Sequence, residues 1–159
     1  MSDLMPNAVN RIDSAPALSV GGDLVHILVD SRCTGGASVL VHVVCAPGSG
    51  PPMHTHARED ELFYVIEGEM TFVLEGQETR GGPGTSVFAR RGAPHRFVNR
   101  SSSPARFIVA ITPGGLDEFF REVGTPLPPG TMQPVSPTPG EIEALVHGAP
   151  NYGITLHIP

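Results

Sequence analysis

Apolar positions along the chain fall in short runs separated by turns bearing glycine and proline, which predicts strands and few long helices. DLVHILVD, with its strand at 24–29, lies between Gly21-Gly22 and a CTGG turn. SVLVHVVCAP, at 38–47, is almost continuously apolar and predicts a strand buried on both faces. HTH and ELFYVI follow, and then EMTFVLEGQET, in which Glu75-Gly76 makes the turn. Three more strands are predicted at 86–89, 95–99 and 105–111. Over 21–113 the turn signals recur at the spacing of a sandwich or closed barrel, and no helical crossover intervenes as a parallel sheet would require.

The period changes after Pro113. Leu116, Phe119, Phe120 and Val123 stand at helical spacing, with Gly124 as the stop. A proline-rich linker, TPLPPGTMQPVSPTPG, is expected to lie extended over the surface, and a second short helix is predicted at 141–147. The last piece, NYGITLHIP, fits either a final strand or a tail against the body of the fold. The expected fold is therefore all-β with one or two short C-terminal helices. Three parts are expected: an N-terminal arm at 1–16, a β-domain at 17–124, and at 125–159 a linker, helix and tail packed on that domain.

Composition narrows the choice of function. A length of 159 residues suits one core without disulfide staples, and abundant glycine and proline suit many turns. The net charge of −6 argues against nucleic acid or an anionic membrane as partner. All ten basic residues are arginine, which excludes Schiff-base lysine chemistry and a P-loop. No signal peptide is visible at the start, and no run approaches the ~20 apolar residues of a membrane span. Cys33 and Cys45 have no metal-ligand spacing and read as free thiols, so a cytoplasmic location is expected.

The candidate chemistry lies in PGSGPPMHTHAREDELFYVIEG. Strand alternation puts His54 and His56 on one face, and Glu61 opens the next run on the same parity as Phe63 and Val65. A short return past AREDE brings Glu61 alongside the imidazoles as in a hairpin. Glu59 and Asp60 are rivals for the carboxylate and are expected as solvated loop acids. His95 arrives from a distant strand, sharing a face with Phe97 and Asn99, and completes a set of ligands for a divalent metal. His26 and His42 read as core or surface histidines. An apolar surround is expected from Phe63, Val65, Phe72 or Val73, Phe88 and Phe97, with Thr55, Tyr64 and Arg96 facing outward.

Two segments carry a family resemblance. The first is Gly48, five residues, His54-Thr55-His56, four residues, Glu61, six residues, Gly68; the second is Gly84, five residues, Arg90-Arg91-Gly92, two residues, His95, three residues, Asn99. Together they resemble the two motifs of the cupin superfamily, in the flavour of small quercetin-dioxygenase-like cupins. Arg90 stands where that family has proline. The resemblance favours Glu61 as the carboxylate and implies a jelly-roll β-barrel holding one divalent transition metal ion (Fe, Mn, Ni, Co, Cu or Zn) on His54, His56, Glu61 and His95. It also implies a small-molecule substrate, a homodimer paired through sheet edges, and a structural hydrogen-bonding role for Asn99. The activity it implies is dioxygenase-like, on a chelating hydroxy-carbonyl such as a flavonol or enediol, with Glu61 as both ligand and proton acceptor. Non-oxidative isomerase, decarboxylase or hydrolase chemistry, or binding without turnover, are the alternatives.

Overall fold

Alternation along the two longest strands sets the architecture. In Ala105–Thr112 the residues Ala105, Phe107, Val109 and Ile111 are buried, and in Asp60–Glu67 Glu61, Phe63 and Val65 are buried while Leu62, Tyr64 and Ile66 face solvent. Each such strand gives one face to a core and the other to water. The computed structural model describes residues 7–159. Its strands are β1 (Ala17–Val20), β2 (Asp23–Val29), β3 (Val39–Cys45), β4 (His54–His56), β5 (Asp60–Glu67), β6 (Met70–Leu74), β7 (Gln77–Gly81), β8 (Ser86–Ala89), β9 (His95–Val98), β10 (Ala105–Thr112), β11 (Thr125–Leu127) and β12 (Ile154–Leu156). Two short helices join them, α1 (Leu116–Val123) and α2 (Pro139–Gly148).

The strands form two antiparallel sheets, β11-β1-β2-β3-β10-β5-β8 and β12-β4-β9-β6-β7. The expectation of an antiparallel, strand-dominated jelly roll with two short helices holds. The architecture is two facing sheets, with no hydrogen-bonded ladder joining them among the described residues. Between the sheets Phe63 meets Phe72, Phe97 and Phe107 at centroid distances of 5.4, 6.0 and 6.1 Å, and Phe97 meets Phe107 at 5.0 Å. Each fully buried aromatic of this kind stabilises the fold by roughly 1.5–3 kcal/mol.

Several expectations are corrected or sharpened. The histidine strand and the glutamate strand are not a hairpin: β4 and β5 lie in opposite sheets, so the connection at 57–59 crosses the sandwich. β1 and β11 are strands that the sequence pattern did not show, and β11 pairs with β1 inside the stretch expected as extended linker. The final segment is a strand, since β12 pairs with β4, Ile154 opposite His56 and Leu156 opposite His54. Of the expected arm, residues 1–6 lie outside the described residues; the remainder makes a turn at Arg11 and buries Ala15.

The helices sit where the site needs a wall. α1 buries Leu116, Phe119 and Val123. α2 starts on Thr138, whose hydroxyl accepts the Glu141 N–H at 3.2 Å, with proline in its first turn. Glu141 is buried and accepts hydrogen bonds from the Ser19 hydroxyl at 3.0 Å and the Thr125 hydroxyl at 3.1 Å, which fastens α2 to β1 and β11. No helix is long and apolar enough to cross a membrane among the described residues.

Candidate metal centre

Three short-range features aim the imidazoles. β4 is three residues long and pairs on one side with β9, putting His54 directly opposite His95, and on the other with β12. The Nδ1–H of His54 donates to the Pro52 carbonyl at 2.9 Å, and that of His95 donates to the Ala93 carbonyl at 3.0 Å. Each carbonyl lies two residues upstream of its histidine, so the local backbone fixes the tautomer and leaves Nε2 free for the interior. His56 differs. Its Nδ1 faces the Glu59 carboxylate oxygen Oε2 at 3.5 Å, an ion-pair contact, and neither atom has a hydrogen-bond partner among the described residues.

Glu61 reaches the same point from the facing sheet. Its Oε2 lies 2.7 Å from His95 Nε2 and 3.4 Å from His56 Nε2. One donor atom from each of His54, His56, Glu61 and His95 lies within 4.8 Å of the others, and all four residues are buried. Adjacent ligands of an ion at about 2.1 Å stand roughly 3 Å apart and opposite ones roughly 4.2 Å apart, so the set could hold one divalent cation. Three neutral imidazoles, one carboxylate and no thiolate suit a borderline transition metal.

The electrostatics follow from the same packing. Burial pushes His54 down to about 4, with His56 and His95 adding to the fall against the pull of Glu61. Burial also lowers His56, but Glu61 and Glu59 outweigh it and leave it above the ordinary histidine value. Burial would raise Glu61, yet His56, with His95 and His54, holds it down to about 2, so its carboxylate is ionised.

Outside the four, the residues sort differently from expectation. Phe63 and Phe97 line the adjoining cavity. Val65 and Phe72 are buried in the core and do not reach that cavity. Phe88 is corrected: it is 60% exposed on the outer face of β8, because Leu62 of β5 pairs with it and Ala89 takes the inward place beside Glu61. Glu59 is corrected too, from a solvated acid to a buried one, while Asp60 takes a surface ion pair with Arg91 at 2.9 Å. Among the residues expected to face outward, Tyr64 is half exposed, and Thr55 and Arg96 are partly buried.

His26 and His42 are buried and face each other across β2 and β3. His26 Nε2–H donates to the Thr131 carbonyl at 2.8 Å, which leaves its Nδ1 to accept from His42 Nδ1–H at 3.2 Å. Asn99 is fully buried; its amide donates to the Cys45 and Ser103 carbonyls, and its oxygen accepts from Ser101. Arg90, in the proline position, pairs with Glu75 at 2.7 Å, and its carbonyl accepts from Ala93 N–H to close the turn before His95. Gly68, the last residue of the first motif, has φ +77, and a Cβ there would lie 2.8 Å from Ala105 Cα, so only glycine fits.

The centre opens onto a cavity of about 260 Å³ whose polar lining is confined to Asp23, His54, His56 and Glu61. The remaining side chains are apolar, contributed by both sheets, by α1 and α2, and by the C-terminal segment.

Residues 41–111 match the family described as Cupin domain. The chain belongs to the cupin superfamily. Among curated relatives, this cupin is 33% identical over 99 residues to tetracenomycin polyketide synthase protein TcmJ of Streptomyces glaucescens, covering 62% of this chain and 66% of that protein. It is 28% identical over 109 residues to quercetin 2,3-dioxygenase of Bacillus subtilis, covering 69% of this chain but only 32% of the other. Among solved structures, one described as a predicted oxalate decarboxylase from Thermotoga maritima superposes with a TM-score of 0.61 at 20% identity, covering 66% of this chain and 98% of that one. Another, described as a sugar phosphate isomerase of the cupin superfamily from Silicibacter pomeroyi, gives a TM-score of 0.58 at 26% identity, with 66% and 75% covered.

Proposed function

We propose that this cupin holds one divalent transition metal ion on His54, His56, Glu61 and His95 and acts as a dioxygenase-like enzyme on a small chelating hydroxy-carbonyl compound. The observation that carries the reading is the convergence of three inward-facing Nε2 atoms and one ionised carboxylate at the edge of an apolar cavity. Similarity to a quercetin 2,3-dioxygenase supports the oxidative version. A redox-active ion there supplies Lewis acidity toward the substrate's acidic hydroxyl and a means of coupling its oxidation to dioxygen. The chain's own residues do the rest. His54 and His95 are held by backbone carbonyls, and the Glu59 carboxylate faces His56, so the donor set is oriented before substrate arrives. Glu61, held ionised, is placed to take the proton of the substrate hydroxyl. The apolar walls exclude water and fit a largely apolar substrate body.

The test is oxygen uptake by protein loaded separately with Fe, Mn, Ni, Co or Cu, against flavonols and small enediols, with the His56→Ala variant alongside. Uptake that vanishes with the metal in that variant is expected. No uptake with any redox-active metal would overturn the oxidative reading. The similarity to a sugar phosphate isomerase favours a second, non-oxidative reading, and anaerobic turnover with Zn separates the two.

The protein is also proposed to be a homodimer. Leu62, Tyr64, Ile66 and Phe88 expose an apolar strip on the outer face of β5 and β8, at 46 to 60% relative exposure, and β8 is an edge strand.

A further inference from the structure

The same cavity carries one polar group that the metal centre does not use. Asp23, at the start of β2, lines the cavity and is only 6% exposed. Its partners are weak and neutral: the Ser49 hydroxyl donates to Oδ1 at 2.7 Å, and the Cys45 thiol lies beside the carboxyl. No arginine, histidine or backbone N–H pairs with it among the described residues. A carboxyl buried against apolar walls without a cation is costly to the fold, and such groups concentrate at binding sites. Burial raises it to about 6, against the weaker opposing pull of Ser49 and Cys45. The structural duty, holding the chain at Ser49, needs only one oxygen.

Asp23 and the metal centre share one cavity and are linked along the chain. Ser49, bonded to Asp23, precedes His54 by five residues, which even a fully extended chain spans in at most about 18 Å. The cavity's 260 Å³ lies just below the roughly 300–1,000 Å³ of common ligand sites, which suits a body of one or two rings. The wall between the two polar places is apolar.

We propose that Asp23 is a second anchor for the bound molecule, accepting a hydrogen bond from a hydroxyl that an aromatic ligand carries away from its chelating oxygens. This rests on the reading that the four-residue centre takes a chelating hydroxy-carbonyl. The substrate class is then a compact aromatic with a hydroxyl beside a carbonyl at one place and a second, isolated hydroxyl elsewhere on the ring system. Asp23 is the specificity residue for that second hydroxyl. A buried acceptor left without its donor discriminates strongly against the analogue that lacks it.

Fluorescence titration of the Zn-loaded protein tests this with three probes: 3-hydroxy-2-naphthoic acid, which carries only the chelating pair, and its 3,5- and 3,7-dihydroxy analogues. At least one dihydroxy probe is expected to bind roughly tenfold or more tighter than the monohydroxy probe, as a hydrogen bond to a charged acceptor would give. Asp23→Asn keeps the side-chain volume and an acceptor for Ser49, and Asp23→Ala removes both; circular dichroism checks that each folds. In both variants the preference is expected to shrink to about twofold or less, with the affinity for the monohydroxy probe changed little. Equal binding of all three probes by the parent protein, or a preference that survives in either folded variant, would overturn the assignment of Asp23 while leaving the metal-centre reading intact. Failure of the monohydroxy probe to bind in a metal-dependent way would overturn both.

Discussion

Glu59 offers the sharpest test of how the centre is built. Of the three imidazoles, two are steered by backbone carbonyls at 2.9 and 3.0 Å and one, His56, by a carboxylate at 3.5 Å. Both side chains of that last pair are about 95% buried, so solvent does not screen it or replace it. Removing the carboxylate takes away the charge facing the ring, frees it to turn and lowers its donor strength. Losses of this kind typically reduce metal affinity 10- to 100-fold, about 1.4–2.7 kcal/mol. Glu59→Ala is expected at the upper end, Glu59→Gln nearer the lower end because its amide oxygen still faces the ring, and Glu59→Met, of similar size without a polar oxygen, with the alanine variant. Competition for Zn against a chromophoric chelator measures this directly, with metal-free thermal unfolding as the control for general damage. If the methionine and glutamine variants bind equally, Glu59 acts by volume alone; if all three match the parent, the steering argument is wrong.

Three other outcomes follow from the structure. Asp23 has a folded-state value near 6 against 3.8 unfolded, so its stabilising contribution is fully present below about pH 4 and is lost as pH rises through 6. Asp23→Asn is therefore expected to be more stable than the parent at pH 7.5, by up to roughly 3 kcal/mol, with the gap closing toward pH 4 in urea unfolding; a gap independent of pH would contradict this. Gly50 has φ +144 and a Cβ there would lie 2.2 Å from the Phe97 carbonyl oxygen, so Gly50→Ala is expected to lower the melting temperature sharply, by several kcal/mol or more in stability; a shift within error would mean that this backbone contact yields easily. Leu62→Glu with Phe88→Glu is expected to turn a dimer into a monomer by light scattering without unfolding it, and an unchanged mass would remove that strip from the interface.

Much of the centre was legible because strand alternation is rigid. Side chains two apart must share a face, so His54 with His56, and Glu61 with Phe63, needed no tertiary information. Phe88 shows where this fails. SVFA is short enough to present either Val87 and Ala89 or Ser86 and Phe88 inward, and size alone favours the wrong choice; pairing with β5, which no local pattern encodes, decides it. Glu59 was missed because charged residues in connections are usually solvated, whereas this connection passes from one sheet to the other and tucks its side chain beneath His56. Asp23, one polar residue ahead of an apolar run, looks in sequence like a turn residue and becomes a cavity group only when the chain at 49–52 is laid against it.

That the histidines and the glutamate stand on opposite sheets has a mechanical consequence. A cation seated among them would rivet the two layers at one end of the sandwich, and the gap between the layers would become part of its binding constant. Occupancy would then appear as a rise in melting temperature that tracks free metal concentration, because only the assembled layers can supply all four donors.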